Sequence, residues 1–138
     1  MSDGVGQIFN DPTLSSLKLS LQASSARQVA LASNIVNVNT PGYKRVDLKT
    51  SFQNDLMSAM KQMDETGSGD LTSAPKASPD ASVDTADLQN PARYDGNTVN
   101  LDQEVTAMMK NSADYQFASH IMALKYTALK QAISGNIT

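Results

Sequence analysis

Apolar residues fall into three stretches of helical spacing, separated by a turn and a long polar interval. In the first stretch, Leu14, Leu17 and Leu21 are followed by Leu31 and Ile35, with a polar gap at Ser24 and Gln28. Steps of three and four place such residues on one face of a helix. A second stripe runs through Val29, Ala32 and Val36. Asp11-Pro12 reads as the start: Asp accepts from free N–H groups of the first turn, and Pro suits the first helical position. A helix is predicted over 12–38, behind a small polar tail, 1–11, that is expected to fray.

The helix runs into Asn34-Ile35-Val36-Asn37-Val38-Asn39-Thr40-Pro41-Gly42-Tyr43. Pro41 lacks an N–H and disfavours helix at Thr40, and Pro-Gly predicts a type II turn. Beyond it, Phe52, Leu56, Met60 and Met63 recur at steps of four, four and three, predicting a short amphipathic helix over 51–63 behind a Ser51 cap. Residues 64–97 then change character. Ser, Thr, Asp and Ala dominate, with glycines and prolines between them, and Leu71, Val83 and Leu88 are the large aliphatics. Such a segment buries too little apolar area to offset its ordering entropy, so an extended insert is expected.

The third stretch has the clearest period. Asn100 caps, with Gln103 three residues on as in a capping box. Asp102 and Glu104 lie at the positive end of the helix, and Lys125 and Lys130 towards its negative end. Leu101, Val105, Met108, Ser112, Tyr115, Ser119, Met122, Tyr126, Leu129 and Ile133 alternate in steps of four and three, a heptad seam. A helix is predicted over 101–134, stopped by Gly135. Its seam needs an apolar partner, and 12–38 is the one intramolecular segment of comparable length. The expected fold is therefore all-α. The long terminal helices form a coiled-coil-like pair, with a short middle helix and an irregular insert between them. Val29/Ala32/Val36 and Met109/Ile121/Leu124/Ala128 lie off the seams and suit contacts with other subunits. Periodicity alone leaves open a self-contained bundle with a loose loop.

Composition narrows the function classes. The 138 residues fit one domain. Aromatics are 5%, Trp and Cys are absent, and the formal net charge is −3. Nucleic acid needs a basic face that is missing, and disulfides and thiolate chemistry are excluded. No run of ~18 apolar residues exists to span a bilayer. Met1 to Phe9 lacks the basic and apolar regions of a secretory signal, so no cleaved signal is expected. No phosphate loop, paired carboxylate or Ser-His-Asp set appears, so neither catalysis nor a cofactor or metal is expected. His120, the sole histidine, reads as packing or surface. Lys110 and Asp114 read as a helix-surface ion pair, Tyr115 and Tyr126 as seam residues with an interfacial hydroxyl, and the methionines as adaptable packing.

The turn is more specific than any of these. Asn34, Asn37, Asn39, Thr40, Pro41, Gly42 and Tyr43 reproduce Asn-x-x-Asn-x-Asn-Thr-Pro-Gly-Tyr, and the run resembles the N-terminal signature of flagellar rod and hook proteins. Asp95 to Glu104 resembles the lead-in to the C-terminal helix of that family, and Tyr115-Gln116 falls where it carries Tyr-Gln. The short chain has no room for large inserted domains, which points to the small proximal rod proteins. The FlgC type, or a helical-hairpin subunit of another secretion assembly, remains the alternative.

The resemblance implies a structural rod subunit that leaves through the flagellar type III gate and assembles in the periplasm into a torque-bearing tube. It implies contacts with other copies, with FlgC-, FlgF- and FlgG-type rod proteins, with the adaptor FliE and with the ring protein FliF. Phe52 and Leu56 resemble a short export-gate docking element. Asn34, Asn37 and Asn39 are expected to bond backbone groups of the turn or of neighbouring subunits.

Overall fold

The structure is a computed structural model that describes residues 11–66, 83–85 and 91–135. Its elements are helix α1 (Pro12–Val36), strand β1 (Val46–Leu48), helix α2 (Thr50–Thr66), strand β2 (Val83–Thr85) and helix α3 (Leu101–Ser134). The all-α reading holds, with α1 and α3 packed together as the main contact of the fold. The tail before residue 11 and most of the 64–97 insert lie outside the described residues.

Each helix boundary has a local cause. Asp11 accepts from the Thr13 N–H at 2.8 Å, with Pro12 opening the helix. Helix α1 stops at Val36, two residues earlier than expected: the Val38 N–H turns back to the Ile35 carbonyl at 3.3 Å, and the Asn37 side chain joins its own N–H on the Ser33 carbonyl, at 2.8 and 3.1 Å. Thr40 to Tyr43 then form the expected turn: the Tyr43 N–H donates to the Thr40 carbonyl, and Gly42 takes φ 73°. Helix α2 extends past both predicted ends, 51 and 63. Asn100 accepts from the N–H groups of Asp102 and Gln103, and Gly135 closes α3 at φ 67°.

The two strands were not expected. They pair antiparallel, with Val46 opposite Thr85, Asp47 opposite Asp84 and Leu48 opposite Val83. Three-residue strands carry too little alternation to be read from sequence.

Side-chain bonds give the direction of the helix pair. Asn34 meets Glu104, Ser24 and Gln28 meet Asn111, and Asp11 meets Lys125. Numbers fall along α1 as they rise along α3, so the pair is antiparallel. With 34 residues against 25, α3 outruns the start of α1 by residues 126–134, about 13 Å at 1.5 Å per residue.

The buried line on α1 is Ser15, Leu19, Ala23, Ala26, Ala30, Leu31 and Asn34. Leu14, Leu17, Leu21 and Ile35 flank it half-buried, and Leu31 is fully buried. On α3 the buried residues are Glu104, Asn111 and Ala118, seven apart, with Met108, Met122 and Leu129 half-buried beside them. The heptad is present, but its centre is turned from the apolar line predicted. Val105, Ser112 and Ser119 sit at its margin, while Leu101, Tyr115, Tyr126 and Ile133 are exposed. Small residues let the backbones approach closely, and each buried polar side chain has a partner, so neither needs a large apolar group. Tyr126 and Ile133 lie on the overhang, past the end of α1.

Candidate functional site

Two surfaces at the α1–α3 pair carry the features that set this chain apart: a buried polar junction at one end and an exposed apolar face along α3.

The junction is built on Asn34, which is 0% exposed. Its amide donates to the Val46 carbonyl at 2.7 Å and accepts from the Val46 N–H at 2.9 Å. It thus mimics a neighbouring strand and holds β1 against α1. The same amide donates to Glu104 at 2.8 Å and accepts from the Tyr43 hydroxyl at 3.3 Å, which uses its full capacity of two donors and two acceptor sites. Ser33 shares a hydrogen bond with Tyr43.

Charges continue this network. Glu104, 0% exposed, accepts from the guanidinium of Arg45 through its other oxygen. Arg45 also donates to Asp47 at 2.9 Å, and Asp47 accepts two bonds from Arg27, at 3.0 and 3.1 Å. Burial pushes the Asp47 carboxyl up. Arg27, the Leu48 N–H and Arg45 outweigh that and hold it below the usual carboxylate range. Burial likewise favours the neutral form of Arg45, and Glu104 and Asp47 outweigh it, so the guanidinium is held charged.

Asn97 closes the junction from the far side of the insert. Fully buried, it donates to the carbonyls of Asn37, Val38 and Thr40 at 3.0, 3.1 and 2.9 Å. Those carbonyls leave the end of α1 without helical partners, so Asn97 caps one terminal segment from the other. Arg93 adds a bond to Val38 at 2.9 Å. Residues 42–45 run beside 95–98: Gly42 N–H donates to Asp95, Thr98 N–H to Tyr43, and Arg45 N–H to the Thr98 hydroxyl. A side chain on Gly96, at φ 78°, would stand 3.5 Å from the Gly42 Cα. The two turns therefore approach through their glycines.

Of the expected motif residues, Asn34 and Tyr43 enter the network. Asn37 bonds its own helix end and accepts from Thr40 at 3.1 Å. Asn39, Thr40 and Pro41 are exposed at the turn. Leu56 is half-buried on α2, and the side chain of Phe52 lies outside the described residues. Sequence reasoning passed over Arg27, Arg45, Asp47, Asn97 and Asn111 as individual residues, and took Glu104 for a helix-end charge. The Lys110–Asp114 ion pair does not form: both side chains are exposed, where such a pair gains little. His120 is exposed. Among the described residues no group of His, Cys or acidic side chains could hold a metal ion.

The second surface lies opposite the buried line of α3. Met109, Ala113, Phe117, His120, Leu124 and Ala128 are all exposed, at steps of four, four, three, four and four. Phe117 is 68% exposed and Met109 69%. On α1, Val29, Ala32 and Val36 are exposed as well, as expected of an off-seam stripe. Apolar side chains lined up in solvent in this way suit contact with another molecule.

The sequence model of the family "Flagella basal body rod protein" matches residues 20–44, most of α1 with its turn. The chain is 33% identical to the flagellar basal body rod protein FlgB of Aeromonas hydrophila over 120 residues, covering 83% of this chain and 87% of that one. FlgB of Bacillus subtilis is 31% identical over 89% of this chain and 94% of its own. FlgB of Yersinia enterocolitica is 36% identical over 70% and 74%. The chain belongs to the FlgB family of flagellar basal body rod proteins. Like that family it is a structural subunit rather than an enzyme, built for assembly with other rod and flagellar components. The stretch the family model recognises carries Asn34, Asn37 and the Pro41-Gly42 turn.

Proposed function

We propose that this rod subunit is a proximal one, exported unfolded through the flagellar type III gate and assembled in the periplasm into a tube that transmits torque. The outer faces of α1 and α3 are the contact surfaces. The observation that carries the reading is the exposed line Met109, Phe117 and Leu124, on a helix whose opposite face is already spent on α1. Val29 and Val36 supply the counterpart on α1, and the overhang presents Tyr126 and Ile133. Partners on these faces are other copies, FlgC-, FlgF- and FlgG-type rod proteins, FliE and FliF. The seam residues Leu14, Leu17, Leu21, Leu31, Ile35, Val105, Met108, Met122 and Leu129 serve the pair itself, while Leu101, Tyr115, Tyr126 and Ile133 face outward to neighbours. Phe52 and Leu56 dock at the export gate before folding.

Imaging of basal bodies tests the reading. A strain lacking the chain should show a membrane ring without a rod, and a normal rod would refute the proposal. Complementation with Phe117→Asp/Leu124→Asp should leave the chain exported but unassembled. Unchanged secretion of a Phe52→Ala chain would remove the docking role.

A further inference from the structure

The α1–α3 seam poses a problem of register. Its buried line is Ser15, Leu19, Ala23, Ala26 and Ala30 against Ala118 and Asn111. Leu19 and Leu31 are the large buried side chains of α1 and the rest of the line is small, so shape complementarity discriminates weakly between the observed alignment and one slipped by a heptad, about 10 Å along the axis.

We infer that the buried polar set Asn34, Glu104 and Arg45 fixes the register of the helix pair. In either slipped alignment Glu104 leaves Asn34. One slip carries it past the end of α1. The other brings it to the level of Arg27, a cation that would offer a substitute partner. In the fold Asp47 already holds that guanidinium, accepting from its Nε and one Nη at 3.0 and 3.1 Å, so Glu104 there would share it with a second carboxylate. Glu104 would then exchange Arg45 and Asn34 for a half-exposed guanidinium already paired with Asp47, a poorer setting for a buried carboxylate. Asn97 and Lys125, near the two ends of the pair, bond only in the observed alignment as well. A single polar group at a seam position is an attested way to set register at some expense of stability. Register sets the phase between the outer stripes of α1 and α3. That consequence rests on the assembly reading above; the register itself does not.

Cross-linking of the purified full-length chain tests this, and the absence of native cysteine makes the readout clean. Asp11→Cys with Lys125→Cys reports the observed register, since those side chains meet at 3.2 Å. Asp11→Cys with Ala118→Cys or Ala132→Cys reports the slipped ones. With a short bifunctional thiol reagent, the observed product should exceed either slipped product by about tenfold or more in the otherwise native chain. In an Asn34→Leu/Glu104→Leu background the ratio should fall to within about threefold while helicity persists. A ratio unchanged in that background overturns the inference, as does a native chain whose products are already mixed. If the double-leucine chain does not fold, Glu104→Gln decides. It keeps the size and can accept from Asn34, and it should show a measurable slipped fraction, whereas exclusive Asp11–Lys125 product overturns the inference. Mixed register with normal rods would break only the link to assembly.

Discussion

The junction and the outer face of α3 invert the usual distribution of residues in opposite senses. At the junction, Asn34, Asn97, Glu104 and Asp47 are buried, and their partners are other polar groups of the same chain. Along the outer face, Met109, Phe117 and Leu124 stand in solvent. A buried polar group and an exposed apolar patch are the two informative departures from hydrophobic-inside order. The first departure is complete within the chain: among the described residues no buried side-chain polar atom lacks a partner. The second is open in the subunit, and on the proposed reading a neighbouring subunit covers it. One region specifies the subunit and the other is left for the assembly.

Substitutions separate the two. The largest effect on folding is expected of Glu104→Ala, which leaves the Arg45 guanidinium and the Asn34 amide without their buried partner. Breaking a buried pair costs about 3–5 kcal/mol, read by urea or thermal unfolding of the purified chain. An unaltered midpoint would mean the junction does not hold the fold together. Asn97→Ala removes one donor from each of three carbonyls that keep a second partner and should cost about 1–3 kcal/mol, with accelerated amide exchange around residues 37–40. Acid should act on the same region. The folded Asp47 carboxyl titrates below its unfolded value, so its contribution is full above the unfolded pKa and is lost as pH falls through the folded one. Stability should therefore decline below about pH 4, and Asp47→Asn should flatten that part of the profile. Gly42→Ala forces a side chain into φ 73° with open space around it, so the strain is conformational alone, about 1–2 kcal/mol. Phe117→Asp is expected to shift unfolding least, within about 0.5 kcal/mol, as for a surface site. It should nonetheless abolish rod formation in complementation. Large destabilisation by Phe117→Asp would erase the contrast between the regions.

The two regions also differ in how far they could be read from sequence. The outer stripes were visible as apolar residues off the main seam: Val29, Ala32, Val36, Met109, Leu124 and Ala128 are exposed as that spacing suggested, while Ile121 is half-buried. The Pro41-Gly42 turn, the Asp11 and Asn100 caps and the Gly135 stop follow from local chemistry acting within a few residues. The core face of α3 was misplaced because an apolar count passes over Glu104 and Asn111. Glu104 is buried only because Arg45 and Asn34 are brought to it from 59 and 70 residues away. Asn97 lay inside the second family motif, yet nothing near it in sequence says that it caps a helix ending at Val36.

The sequence by itself therefore determined where α1 begins and both ends of α3, which two helices would pair, and the family to which the turn belongs. Each of these depends on neighbours within a turn or on a repeating period. Tertiary structure alone decided which face of α3 is inside, that Val46–Leu48 becomes a strand on Asn34, and that the far end of the insert caps α1. Those outcomes depend on charge and hydrogen-bond partners far apart in the chain. A buried polar group is tolerated or ruinous according to whether that distant partner arrives.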